Sequence, residues 1–561
     1  MKLIIRQYLQ NMKERGELDI LLPLLLSELG YEVIHRPQSG SRQAGVDVAA
    51  VGPDPDGDEE RSLLLFVIKP GNIGRVDWCG SPQAVRSTLA DILDDYVPHR
   101  VPEQYRDLPI AICVCTGGEI QETVRQNWRG FVEQHSKDRL HFREWNGDRL
   151  ANLILKGIFS PELLDAAHRS HFQKAVVLVS EPEDSYRSFR ELLDGLTENI
   201  EADRKGTMRL HQMLTCLWIL VSNGFDAGNL DAPYRACELA MLHAWDALQR
   251  CPKRSKARLA ERQEIFNHVL GLYLVVGYKL VFEKIGPHTE NQYALSNAVQ
   301  SSSAIDVNLA LFEMLGRALL LGHWHHYFGI QKEGETRTEN MRKRDQFFDL
   351  AISMINTNPT LFSPMRDDHH IEIGILMLLA EDSGRLPDGK KYVREIAKWM
   401  PNRYIRRSYW PTWFRDYRKL ARHPVDQGEN YFKDSTLVSV LVPFLLLGLE
   451  RLGASAELGE LEKVLFRHLS HMTMQVWVPC ERTGDTIWRS GEMKGIGIPV
   501  GAARYSENNI SLSTEISEIV SEYSQLDKTE AFERGSVPIF LTACRHHRIP
   551  LPPHLWLNRQ S

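Results

Sequence analysis

The stretch QAGVDVAAVGPDPDGDEERSLLLFVIKPGN, residues 43–72, holds two apolar segments joined by an acidic turn. GVDVAAVG (45–52) and SLLLFVIK (62–69) are rich in branched and apolar residues, the composition of buried strands. The connection PDPDGDEE (53–60) carries the Pro, Asp and Gly that tight reversals need. Its acids lack the spacing of a calcium-binding loop and read as an exposed hairpin tip. Asp47 lies in the first strand and Lys69 ends the second.

On either side, helix and strand signals alternate. Residues 12–30 have apolar positions at helical spacing and end on Gly30, and 31–36 alternate as a strand. A helix follows at 82–96, then an apolar strand at 108–115, a helix at 119–136, a strand at 139–145 and a helix at 147–157. This order predicts an α/β domain over 1–158 with a mixed central sheet flanked by helices. From 159 to 561 helical patterns dominate, without a fixed repeat period, which predicts a large all-α region built as an irregular solenoid or bundle. The segment VWVPCERTGDTIWRSGEMKG (476–495) reads as a small hairpin excursion within it.

The chain has 561 residues, 43% apolar and 25% charged, with a net charge of −6. That composition is ordinary for a soluble globular protein and gives no global basic field for nucleic acid. Charged residues interrupt the first apolar residues, so no signal peptide is read there. The run LVSVLVPFLLLGL (437–449) is too short to span a bilayer. The eight cysteines are scattered, as in a reduced, cytoplasmic protein.

Gly30 and Tyr31, then Gly45, Val46 and Asp47, then Lys69 follow one another in the order GY, GVD and a strand ending in lysine. This arrangement resembles the restriction-endonuclease-like superfamily, with its D…(D/E/Q)xK signature, and is most similar to its Mrr-type branch. The resemblance covers residues 10–158, and REWNGDRLANLI (143–154) is similar to the strand and helix that close such domains. It implies a nuclease that cleaves DNA with Mg²⁺ or Mn²⁺, held by Asp47 and by the carbonyl of Ile68. Lys69 then orients water and offsets charge in the transition state. Family members often add an acid on the first helix, which Glu17 or Asp19 could supply.

Val67 departs from the signature. Strand residues 67 and 69 point to one face, so the position two before the lysine should carry an acid or amide. Three accounts stand open. The acid has moved, with Glu17, Asp19 or Asp77 compensating; the metal is weakly held until the protein assembles; or the domain is a degenerate relative that binds nucleic acid or a protein without cutting.

Arg42 and Gln43 precede Asp47, and Arg75 follows Lys69 in a glycine-containing loop. All three are candidates for phosphate contact, against the plainer reading of solvated loop residues. GHWHHYF (322–328) and RDDHHIE (366–372) are rich in potential metal ligands but lack the i, i+4 histidine spacing of zinc helices, and structural roles are expected. In NRYIRRSYWPTWFRDYRKLARH (402–423), Arg403, Arg406, Arg407 and further cations interleave with aromatics. Single-stranded nucleic-acid grooves use that combination; a helix pair with aromatics in its core would produce it too. The expected function is a metal-dependent DNA endonuclease of bacterial anti-phage defence. Its expected partners are DNA, a protein partner or further copies of the chain, and a separate ATPase subunit, since no phosphate-binding GxxxxGK(S/T) loop occurs.

Overall fold

The structure is a computed structural model. It describes residues 2–35, 44–57, 61–157, 166–198, 200–201, 203–423, 425–489, 495–501, 511–526, 529–533, 535–553 and 555. The chain divides into two compact units, residues 1–236 with 251–268, and residues 237–250 with 269–561.

The first unit is built on a five-stranded sheet: β1 (Glu32–His35), β2 (Val48–Gly52), β3 (Ser62–Lys69), β4 (Ile110–Thr116) and β5 (Leu140–Trp145). The strands lie in sequence order, antiparallel from β1 to β3 and parallel from β3 to β5. In β3 every residue is buried except Lys69 at its end, as expected of a strand covered on both faces. Leu63, Leu65 and Val67 belong to an apolar cluster with Trp78, Val85, Leu89, Ile92, Val124 and Trp128. Alternation turns Phe66 to the opposite face, where it meets Trp145 edge-on at 4.9 Å. Fully burying side chains of this size stabilises the unit by about 1.5–3 kcal/mol each.

The helix expected over 12–30 forms over Glu14–Glu28, with a π-helical first turn. A first helix, α1 (Lys2–Asn11), gives way to a π-helical turn (Glu14–Leu18) and then to α2 (Asp19–Glu28). Gly117, just after β4, lets the end of α1 approach closely: a β-carbon at Gly117 would lie 1.8 Å from the Leu9 carbonyl oxygen. The close approach brings the end of α1, and so the following turn, over the C-terminal ends of β3 and β4.

The acidic turn after β2 is exposed at Pro53, Pro55, Asp56 and Gly57, as expected of a hairpin tip, with one exception. Asp54 is buried and held by Arg143, whose Nη2 lies 2.6 Å from Asp54 Oδ2; Arg149 grips Asp56 at 2.6 Å. These carboxylates tie the β2–β3 connection to β5 and the helix Gly147–Gly157. Asp58 lies outside the described residues.

The second unit is largely helical. Its longest pair, Ala304–Ile330 and Gly334–Thr357, forms a hairpin around Leu315, Leu319, Phe347 and Phe348. A small sheet of β6 (Val438–Ser439), β7 (Thr473–Pro479) and β8 (Gly495–Pro499) contains the expected excursion: β7 and β8 are antiparallel, and β6 adds a parallel edge. The histidine-rich segments are structural here. His323 Nε2 lies 2.9 Å from the Ile375 carbonyl, and Asp367 accepts from the Val440 N–H at 2.7 Å, capping the helix Leu441–Arg451. One helical stretch, Lys256–His288, is long and apolar enough to cross a membrane by length and composition, with 44% of its most apolar window buried inside the protein. The eight cysteines are all free thiols.

Candidate active site

The C-terminal ends of β3 and β4 carry a group of charged residues set by local backbone demands. Gly45 has φ +84°, and a β-carbon there would meet the Thr88 carbonyl oxygen at 2.7 Å, so the step before Asp47 requires glycine. Asp47 N donates to the Phe66 carbonyl at 2.9 Å, extending the β2–β3 pairing by one residue. The Asp47 carboxylate then takes the place of the next backbone partner: Ile68 N donates to its Oδ2 at 2.7 Å. A strand residue turns its N–H and C=O to one side, so the Ile68 carbonyl lies along the same edge.

Lys69 is 15% exposed, and its Nζ lies 3.8 Å from Glu14 Oε2. Glu14 belongs to the π-helical turn, not to the regular helix expected there. Burial pushes the Asp47 carboxyl up to about 6, while the Ile68 hydrogen bond and the Lys69 charge pull it down and Glu14 and Asp19 repel it upward. The four side chains of Asp47, Lys69, Glu14 and Asp19 thus share one electrostatic neighbourhood. Burial, with the Asp47 charge added, also raises the Cys115 thiol on β4, which keeps it protonated.

Of the residues singled out in the sequence, Asp47, Lys69, Ile68 and Asp19 therefore come together. The Glu17 side chain, Arg42 and Gln43 lie outside the described residues. Asp77 does not join the group: it accepts from Gly74 N at 2.9 Å and caps the short helix α3 (Arg75–Cys79). Arg75 is exposed on that helix and makes no ion pair among the described residues. Arg403, Arg406 and Arg407 belong to the second unit. Val67 is fully buried, its methyl groups in the apolar cluster beside Val46 and Val114. The residue that pattern reading missed is Glu14. The signal for it was Gly16, an interruption inside an otherwise continuous helical pattern.

Among the described residues no three histidine, cysteine or acidic side chains converge on a metal-sized site. The donors present are the Asp47 carboxylate, the Glu14 carboxylate and the Ile68 carbonyl, all hard oxygens. That set fits Mg²⁺, which is commonly held by one or two carboxylates together with water and substrate oxygens.

The raised Asp47 carboxyl predicts a pH dependence. Folded Asp47 keeps its proton where the unfolded chain, with its ordinary value of 3.8, has lost it. The contribution is fully present below about pH 4 and is lost as the pH rises through about 6, to the extent of about 3 kcal/mol. The denaturation midpoint of the first unit should thus fall across this window more steeply in the wild type than in Asp47→Asn, which keeps an oxygen for the Ile68 N–H. Parallel curves would show that Asp47 does not titrate there.

The chain matches no family model, no curated protein and no solved structure.

Proposed function

We propose that the sheet of the first unit is a restriction-endonuclease-like domain that hydrolyses phosphodiester bonds in DNA with a divalent cation. The observation that carries this reading is the gathering of Asp47, Glu14 and Lys69 at the end of β3. The sheet is compatible with it: antiparallel β1–β2–β3 followed by parallel β4 and β5 make a mixed central sheet, the coarse arrangement expected. Glu14 is our candidate for the displaced acid of the missing signature position.

Asp47, Glu14 and the Ile68 carbonyl would hold the ion, which when bound polarises a phosphoryl oxygen and makes hydroxide available near neutral pH. The chain's own groups do the rest. Asp47 must ionise to serve as a ligand, so cleavage should rise with pH through about 6. Lys69, largely screened from solvent, offsets negative charge developing on the phosphoryl group. Arg75, exposed just beyond, is available to a flanking phosphate. Bacterial anti-phage defence, in the cytoplasm, is the setting we propose, by analogy with nucleases fused to long helical regions.

One observation favours a second reading. Val67 is locked in the core and no three-ligand group exists among the described residues, as expected of a degenerate relative that binds without cutting. Plasmid and linear DNA incubated with Mg²⁺ or Mn²⁺ separate the two. We expect Asp47→Ala and Lys69→Ala each to slow cleavage by about 10²-fold or more. Identical traces from the wild type and both variants would retire the nuclease and leave the binding scaffold.

A further inference from the structure

Residues 402–423 carry seven cations against one acid, Asp416, in a chain whose net charge is −6. The structure sorts their aromatic neighbours into two sets. Tyr404, Trp410 and Phe414 turn inward; Trp410 packs with Tyr431 and Phe432, and Phe414 with Tyr431. The Trp410 indole donates to Ser435 Oγ at 2.9 Å, and His423 Nε2 sits 2.8 Å from the Trp410 carbonyl. Burial lowers His423 to about 4, so this floor is uncharged near neutral pH.

The second set faces water. Trp413 is 42% exposed, Tyr417 52% and Trp399 52%. Trp413 is not loose: its Nε1 donates to the Asp434 carbonyl at 2.7 Å, which fixes the ring while leaving much of it uncovered. The cations divide as well. Arg407 pairs with Glu429, Arg422 pairs with Asp426, and Arg415 donates to the Arg548 carbonyl. Arg403, Arg406 and Arg418 make no ion pair among the described residues. Trp399, Arg403 and Arg406 stand at i, i+4 and i+7 of the helix Leu386–Arg406, so they form one stripe.

We propose that this surface binds single-stranded nucleic acid. Arg403, Arg406 and Arg418 would meet backbone phosphates, and Trp399 and Trp413 would offer ring faces to unstacked bases. Cations alone would serve an acidic protein equally well. An indole open to water in one stripe with Arg403 and Arg406, which make no ion pair among the described residues, favours bases, because stacking uses a flat face that every base presents. Arginine also suits phosphate better than lysine, through its planar, forked donors. This reading does not rest on the site at the end of β3.

The test is fluorescence anisotropy of a labelled oligothymidylate with the full chain, in EDTA, at low and moderate salt. We expect binding that Trp413→Ala weakens about tenfold and Trp413→Phe leaves within about twofold. The pair Arg403→Ala with Arg406→Ala should flatten the dependence of log affinity on log salt by about 1.4. These side chains lie on the surface, so unchanged melting temperatures identify folded variants, and the arginine pair stands as the test should Trp413→Ala fail to fold. Asp47→Ala with Lys69→Ala should bind like the wild type. No binding by the full chain would overturn the proposal. So would binding insensitive to both sets of substitutions, or capture of polyglutamate in preference to the oligothymidylate.

Discussion

Val67→Glu is expected to disrupt the end of the sheet instead of completing a metal site. Position 67 shares a face with Asp47 and Lys69 by strand alternation, so the signature of the resembling family invites an acid there. The structure gives that face two environments within one residue step. Lys69 reaches the charged group with Glu14, whereas Val67 is fully buried among Val46, Val114 and the side chains of neighbouring helices. A fully buried carboxyl has its pKa raised by about 3–5 units, so it stays protonated at neutral pH where the unfolded chain ionises, a cost of about 4 kcal/mol there. Asp47, already pushed up to about 6, would add repulsion. We therefore expect Val67→Glu to lower hydrogen-exchange protection throughout β3 and to cost several kcal/mol, less at mildly acid pH where the unfolded carboxyl protonates as well. A Val67→Glu protein with wild-type protection and faster DNA cleavage would contradict this. It would mean that position 67 opens toward the charged group and that Glu14 is not the compensating acid.

The residues explain why some of this was legible in sequence and some was not. β3 was readable to the residue, Ser62–Lys69, because a strand buried on both faces is a continuous apolar run bounded by polar neighbours. Asp47 and Lys69 were readable because a glycine turn and a strand end fix where they stand. The π-helical first turn, Glu14–Leu18, was not, nor was the close approach of Gly117 to the end of α1 from more than a hundred positions away. Glu14 stands near Lys69 through tertiary packing, which the local signal of Gly16 marks without placing. The same limit applied to the acidic turn. PDPDGDEE is the composition of a solvated tip, and most of it is exposed, yet Arg143, distant in sequence, holds Asp54 buried within it, while Arg149 pairs with the exposed Asp56. In 402–423 composition revealed that cations and aromatics alternate. Which rings are core and which are surface depended on the partner segment 429–435.

Arg545→Met should be among the most destabilising single changes in the second unit. Arg545 is 1% exposed in its side chain and lies between two carboxylates, donating to Glu238 Oε1 at 2.7 Å and to Glu313. Glu238 is equally buried and takes a second contact from His546 Nδ1 at 3.0 Å. Burial alone would raise the Glu238 carboxyl, yet Arg545 and His546 hold it below its ordinary range. Arg548 closes the network by joining Glu313 and Glu372. Gly316 lets this happen, since a β-carbon there would stand 2.6 Å from Arg545 Nε. Four helices, Asp231–Gln249, Ala304–Ile330, His370–Asp382 and Val537–His547, each contribute a charge. Removing the guanidinium leaves Glu238 buried without its main counter-charge, a loss of about 3–5 kcal/mol. Exposed pairs such as Lys279–Glu283 should contribute less than about 1 kcal/mol. The measurement is denaturant unfolding with hydrogen exchange of Val537–His547, made on Arg545→Met, Glu238→Gln and the double variant. If the charges are coupled as described, Glu238→Gln in the Arg545→Met background recovers part of the loss, because the carboxylate left stranded is then neutral. Additive losses, or a cost for Arg545→Met below about 1 kcal/mol, would show that apolar packing rather than ion pairing holds these helices in register.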